Sequence, residues 1–416
     1  MVPIKVCSIV IFAFLTFVCG APLHAQWVQT NGPNVGPRAV IALAVSGTNL
    51  FAGASFDGVY RSTDNGTSWT EDTAGMGAQY VAALAVIGAN LFAGTFYGVY
   101  LSTDNGTSWR ADTNGMGEKQ VKALAVSGTN LFAGTSDYGV YLSTDNGTSW
   151  RAASTGLPAN DYVVALAVSG TNLFATTFYG VYHSTDNGTN WTAVNSGLTN
   201  DTVITLAVIG LNLFAGTQSG GVFLSTDNGI SWRAASTGLP ANAEVNAFAV
   251  IGTNLFAEAI KENGGHINGG GVFISTNNGD SWDSASTGLN AYVNALAVSG
   301  TNIFAGDDVG VVWRRPLLDF GISAVAQAPP MRDAIRSYPN PFSQSTEIAF
   351  TSATAGYAEV SVVNILGVEA AHLFSGELEA GNHSFAWDAQ GMAQGSYWCI
   401  VRMGGSVERI ALSIER

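Results

Sequence analysis

The sequence predicts an all-β chain: a seven-bladed β-propeller of four-stranded blades, followed by a small β-sandwich. Three observations carry this. Trp69, Trp109, Trp150, Trp191, Trp232 and Trp282 mark a repeat, with spacings of 40, 41, 41, 41 and 50 residues. A second marker, typified by "LAVSGTNLFAG", occurs seven times, starting at Leu43, Leu84, Leu124, Leu166, Leu206, Phe248 and Leu296. Near Leu318 both markers stop, and a different β pattern follows Ser337. Periods of about 40 residues belong to propellers and solenoids.

Each repeat reads as four strands in order. "VAALAV" is followed by "NLFAGT" after a Gly-containing turn, then by "GVYLST", and then by "SWRAAS" after "DNGT". The runs are rich in β-branched and aromatic residues, and Asn-Gly is a strong hairpin signal. The long sixth spacing reflects an insertion, Lys261 to Gly269. The seventh copy, Tyr292 to Arg315, supplies only three strands, and "GVVWRR" stands where "GVYLST" is expected. Its fourth strand is expected at Gln26 to Thr30, since "QWVQT" matches "SWTEDT" in position. That pairing closes the ring and leaves no open sheet edge.

Composition fits this reading. Of 416 residues, 47% are apolar and 11% charged, which suits a turn-rich β-protein with a substantial core. A net charge of −14 argues against nucleic acid and anionic membrane surfaces as partners. Residues 1–25 read as an export signal: Lys5, an apolar run from Val6 to Val18 too short to span a bilayer, and Leu23-His24-Ala25 before Gln26. Lipidation at Cys19 is disfavoured by the bulky Val18 before it. No later segment is long and apolar enough to span as a helix. Cys7 and Cys19 leave with the signal, so Cys399 has no disulfide partner. No Cys/His cluster has metal spacing, and no cofactor is expected.

"STDNGTSW" is local machinery. Asp or Ser oxygens accept backbone N–H bonds inside such a turn, Gly supplies positive φ, and Trp buries a large ring between blades. The stretch resembles the Asp-box of sialidases and related propellers. The matching residues are Ser62/Asp64/Gly66/Trp69, Ser102/Asp104/Gly106/Trp109, Ser143/Asp145/Gly147/Trp150, Ser184/Asp186/Gly188/Trp191 and Ser225/Asp227/Gly229/Trp232. A sixth copy, Ser275 to Trp282, has Asn277 in place of Asp. The resemblance implies that the box joins the third and fourth strands, on the face opposite the usual ligand site. The box is therefore read as a fastener. The repeat also looks like that of propellers known as photosystem assembly factors, a likeness of fold that carries no function.

Function is expected where the repeats differ. One set of variable loops joins strands two and three: Phe56-Asp57, Phe96-Tyr97, Asp137-Tyr138, Phe178-Tyr179, Gln218-Ser219, the insertion, and Asp307-Asp308. The second joins successive blades and adds Tyr80, Asp161, Tyr162, Asp201 and Tyr292. Aromatic rings stack on sugar faces and carboxylates bond sugar hydroxyls, so a glycan or a surface protein is the expected partner. Phe56, Phe96, Tyr97, Asp137, Tyr138, Phe178 and Tyr179 are the expected binding residues. The competing reading is that these rings plug the channel mouth or brace hairpins. A carbohydrate-active hydrolase is the alternative from another class. It needs two carboxylates across a sugar bond, and Asp57, Asp307 and Asp308 are its candidates. A structural surface coat is a third reading. A sialidase is not expected, because Arg110, Arg151 and Arg233 repeat one outer-strand position and cannot converge. His183 and His266 lack a triad partner at recognisable spacing.

The tail carries an address. Residues 318–337, with Pro329-Pro330, read as a linker. Beyond it, Tyr338-Pro339-Asn340-Pro341-Phe342, Leu366-Gly367, "AGNHSFAWDA" and Gly395-Ser396-Tyr397 resemble the type A C-terminal sorting domain of the bacterial type IX secretion system. Val368 in place of the usual basic residue and the "SIER" end depart from that pattern. The resemblance implies a small β-sandwich read by the type IX machinery at the outer membrane, and a secreted or surface-displayed protein. The expected organisation is signal 1–25, propeller 26–317, linker 318–337 and sorting domain 338–416.

Overall fold

The computed structural model describes residues 26–33, 36, 38–158, 162–200, 202–263, 266–267, 271–322, 335–352, 356–364, 369–379, 381–403 and 406–415. Residues 1–25, expected to be an export signal, therefore lie outside the described residues. Apart from one short 3₁₀ turn at Leu317–Phe320, every regular element among them is a strand.

Blade one shows the plan: Val40–Ser46, Asn49–Ala54, Gly58–Ser62 and Thr70–Glu71 form an antiparallel meander. Six further four-stranded sheets within residues 28–316 repeat it. In the seventh, Val28–Gln29 is the outermost strand, with Val28 opposite Arg314 and Gln29 opposite Trp313. The first strand of every blade touches those of both neighbours, so the ring is closed. These first strands line an axial cavity of about 270 Å³.

The "DNG" turns form because Asn and Gly tolerate positive φ: Asn105 and Gly106 sit at 61° and 88°. Gly106 is needed for space as well, since a Cβ there would stand 2.7 Å from a ring carbon of Phe51 in the preceding blade. Phe51 and its equivalents Phe92, Phe132, Phe174, Phe214, Phe256 and Phe304 are wholly buried. The tryptophans complete each seam. The indole N–H groups of Trp109, Trp150, Trp191, Trp232 and Trp282 donate to carbonyls of the preceding blade at 2.8–2.9 Å. Trp27 does the same to Ala285 at 2.7 Å, which is how an N-terminal segment can act as a seventh fourth strand.

Two details bear on the expected boundaries. Leu317 is buried and Ile322 packs into the same apolar cluster as Trp27 and Trp313, past the expected end of the propeller at 317. The stretch outside both cores is correspondingly shorter than 318–337, because Ile335 belongs to the next core. The Lys261–Gly269 insertion is not plain loop, since Glu262–Asn263 pairs with His266–Ile267.

The C-terminal unit has a three-stranded sheet (Arg336–Tyr338, Ser345–Ser352, Gly381–Asp388) and a four-stranded one (Gly356–Asn364, Glu369–Leu378, Gly395–Met403, Ser406–Ile414). Trp387, Ile348, Val360, Val362 and Cys399 share the core. Burial pushes the Cys399 thiol up to about 12, so it is inert packing. The tail motif is stitched to the last strand. Asn340 donates to the Ala411 carbonyl at 2.7 Å and accepts from the Ser413 amide at 2.9 Å. Phe342 is buried edge-on to Trp387. Leu366, Gly367 and Val368 lie outside the described residues.

Candidate functional site

The site grows from a small irregularity in each first strand. Val40, Val81, Val121, Val163, Val203, Val245 and Val293 are buried between blades. In six blades the pairing register shifts just after this valine. Such a bulge leaves the next residue unpaired and re-aims its side chain. That residue is Ile41, Ala82, Lys122, Ile204, Asn246 or Asn294, and Val164 holds the place in blade four. The residue before the valine also varies: Ala39, Tyr80, Gln120, Tyr162, Thr202, Glu244 and Tyr292. Side chains from these two positions, with Phe178 and Gln218, line a cavity of about 570 Å³ at the mouth of the axial channel.

One side of the mouth is aromatic. Tyr80 and Phe96 stack with centroids 4.4 Å apart, and Phe56 meets both edge-on at 5.2 and 5.5 Å. Tyr162 and Phe178 pack at 5.2 Å. The Lys122 ammonium lies 5.5–5.6 Å from the rings of Tyr80, Phe96 and Tyr162, within cation–π range. The two loop sets expected to share a face do meet here.

The other side is polar. Glu258 is wholly buried, with Oε2 accepting from Asn246 Nδ2 at 3.1 Å. Asn246 Nδ2 also donates to the Tyr292 hydroxyl at 2.8 Å. Burial raises the Glu258 carboxyl to about 8 against the lowering effect of the Asn246 bonds, and the charge of Glu244 adds to the rise.

The expected binding residues divide. Phe178 lines the mouth, and Phe56 and Phe96 belong to its aromatic cluster. Tyr97, Asp137, Tyr138 and Tyr179 are exposed at the hairpin tips and do not line the cavity. Tyr138 is covered on one side by Lys119, whose ammonium is 4.3 Å from its centroid. Asp161 and Asp201 lie outside the described residues.

The hydrolase candidates differ in their settings. Asp307 is wholly buried, and it braces its own hairpin. It accepts from the Val309 and Val311 amides at 3.0 and 2.7 Å and from the Trp313 indole at 2.8 Å. It occupies the place of Thr135, whose hydroxyl also braces its hairpin, bonding the Gly139 carbonyl. Asp57 is held by Arg38 at 2.7 Å and by the Tyr60 hydroxyl at 2.8 Å. Asp308 alone remains exposed; partial burial raises its carboxyl, and Asp307 adds to the rise. The exposed Arg110, Arg151 and Arg233 sit on the outer strands of three different blades. His183 stacks on Phe174 at 4.7 Å and bonds Asn172, a packing role.

The "STDNGTSW" turns lie at the opposite end of the blades, because an antiparallel meander sends alternate turns to alternate ends. Ser102 Oγ accepts from the Gly106 amide and donates to Asp104 Oδ1, both at 2.8 Å. Asp104 accepts the Ser108 amide at 2.9 Å and the Ser108 hydroxyl at 2.5 Å. The Ser108 bonds, then the Ser102 hydroxyl, hold this carboxyl down at about 2. Asp64 behaves alike, Asp145 and Asp227 are lowered by the equivalent serine contacts, and Asp186 is lowered by the side chain and amide of Asn190, which replaces the second serine. Asp104 thus spends three of its acceptor sites inside its own turn, which is the pattern of a structural carboxylate.

Acid should expose this role. A folded pKa below the ordinary 3.8 means stability that is present above that value and is lost as pH falls through about 2. The melting temperature is expected to fall between about pH 4 and pH 2 and to fall less steeply in Asp104→Asn. Asn277 already shows that an amide fits, accepting the Ser281 amide at 3.0 Å. A flat profile in that window would contradict the reading.

Comparison with known proteins agrees with the architecture. Residues 115–249 match the model of the DUF6242 β-propeller domain. Residues 336–414 match the secretion system C-terminal sorting domain. The chain is exported to the cell surface or the medium. Its tail is the part addressed to the type IX secretion machinery. No curated protein sequence matches the chain. Among solved structures, it is similar to YCF48 from Cyanidioschyzon merolae, at 15% identity and a TM-score of 0.54, over 70% of this chain and 99% of that one. PorZ, a surface component of the type IX secretion system of Porphyromonas gingivalis, shares 14% identity at a TM-score of 0.52, over 90% of this chain but only 59% of PorZ. The Niastella koreensis GH74 enzyme shares 14% at 0.55, over 94% and 75%. At these identities the likeness is one of fold. No helix among the described residues is long and apolar enough to cross a membrane.

Sequence reasoning missed Glu258, Asn246, Asn294, Lys122 and Glu244. A signal for Glu258 was present: "NLFAGT" becomes "NLFAEA" in blade six alone.

Proposed function

We propose that this protein is a surface or secreted binding module whose propeller takes a polysaccharide at the channel mouth. The observation that supports this most is the convergence of the most variable repeat positions on one cavity, with stacked rings on one side and amides on the other. Flat aromatic faces beside amide donors and acceptors suit sugar rings. The Asp-box kinship, the cleavage of residues 1–25 and the fate of the tail after export belong to the same proposal.

A hydrolase reading draws on the likeness to GH74 enzymes. It loses the carboxyl pair expected for it, because Asp307 and Asp57 are committed to structural contacts and retaining and inverting mechanisms both need two carboxyls. The test is to offer the intact exported chain to insoluble and soluble polysaccharides and to read retained protein and new reducing ends together. Retention without new ends is the expected result. New ends abolished by Asp308→Asn would make it a hydrolase. Neither signal would favour a surface-protein ligand or a structural coat.

A further inference from the structure

We propose that the junction of blades six and seven is a hydroxyl-reading subsite for a neutral sugar unit, with Asn246 and Asn294 as the contact residues and Glu258 as the group that positions Asn246. This rests on the polysaccharide reading above and names the kind of sugar that the mouth takes.

Only at this junction do the bulge positions carry amides, and they do so in two adjacent blades. Behind them Glu258 breaks a packing rule. Five of the six equivalent residues, Gly53, Gly94, Gly134, Gly216 and Gly306, leave room for the next blade's valine, from which a Cβ would stand 2.4–2.8 Å, and the sixth, Thr176, accepts the Ala165 amide with its hydroxyl at 3.0 Å. A carboxyl placed in that slot has no packing benefit of its own, which points to the site it serves.

Its effect is to fix an orientation. Asn246 Nδ2 spends its two N–H groups on Glu258 Oε2 and the Tyr292 hydroxyl. Oδ1 is then the atom that Asn246 offers to the cavity it lines. Asn294 lines the same cavity, and its Nδ2 is buried with no hydrogen-bond partner among the described residues. Glu258 Oε1 is likewise buried and unpartnered. Buried polar atoms are almost always paired, so these atoms point to a ligand. A sugar hydroxyl both donates and accepts: it can accept from Asn294 and donate to Asn246. Glu244, which also lines the mouth, disfavours a carboxylated sugar at this end.

The test uses the intact chain with xylan, a β-glucan and a galactomannan as neutral probes and polygalacturonate as the acidic one. Asn294→Ala and Asn294→Asp should each weaken retention on a neutral probe about tenfold, the scale of one well-placed hydrogen bond. Glu258→Gln supplies the readout that a purely structural role would not move. The ionisable neighbours on elements packed against Glu258 are Glu244 and Tyr292. Ionisation through about 8 puts a second negative charge beside Glu244. Retention of the parent chain should therefore fall above that pH, while Glu258→Gln should bind at neutral pH and show no such fall. Parent retention with both Asn294 variants within about twofold of it would overturn the subsite and leave the binding module standing. Retention on polygalacturonate alone would do the same. No retention on any probe would overturn both.

Discussion

Trp150→Ala is expected to lower the stability of the propeller by about 3–5 kcal/mol, the usual cost of deleting a large buried ring. The side chain is 5% exposed and packs with Phe92, Met116 and Val121. Its indole N–H donates to the Asp112 carbonyl at 2.9 Å and its amide to the Asn114 carbonyl at 2.8 Å. Truncation leaves a cavity in the seam between blades two and three and strands a buried carbonyl. Trp150→Phe, which keeps most of the ring, should lose markedly less. Urea unfolding with both variants measures the difference. A loss below about 1 kcal/mol for Trp150→Ala would mean that the seam collapses onto the gap.

Deleting residues 26–32 should do more damage. It removes the strand opposite Val312–Pro316, the buried Trp27 ring and the bond from Trp27 to Ala285. The loss is expected to be at least that of Trp150→Ala, about 4–6 kcal/mol. The freed edge should also promote self-association, because an open strand offers a row of unpaired backbone groups. Thermal unfolding and light scattering on the shortened chain would show both effects. An unchanged midpoint with no association would mean that blade seven stands on three strands.

How much was legible follows from what kind of information a repeat carries. The blades, their strand order and the closing strand are written redundantly, in six Trp markers and seven second markers (six "LAV" and one "FAV"), so Trp27 could be recognised by position alone. The fastener role of Asp104 was readable because its partners lie within six residues. The mouth was harder. Side chains from different blades are neighbours there only because the ring closes, and the bulge after each valine is a register effect that no local pattern announces. Local variation is most visible at the hairpin tips, where Tyr97, Tyr138 and Tyr179 are exposed and do not line the cavity. Asp307 shows a related effect. It varies from the repeat as a functional acid would, but the change from Thr braces the hairpin with Trp313 as a new partner. Glu258 stands at a position where five blades carry Gly and one carries Thr176, a stronger departure than any loop acid, and one visible only when the copies are aligned against each other.

The most direct test of the account compares two variants of the intact chain on whichever polysaccharide retains it. One is Tyr80→Ala/Tyr162→Ala, which removes two rings that line the mouth. The other is Tyr97→Ala/Tyr138→Ala/Tyr179→Ala, which strips the exposed tips. Stacking rings are each worth about 1–3 kcal/mol to a bound planar group, so the mouth variant should lose at least tenfold in retention. The tip variant should bind as the parent does. Loss confined to the tip variant would contradict the account and move the ligand from the channel mouth to the rim.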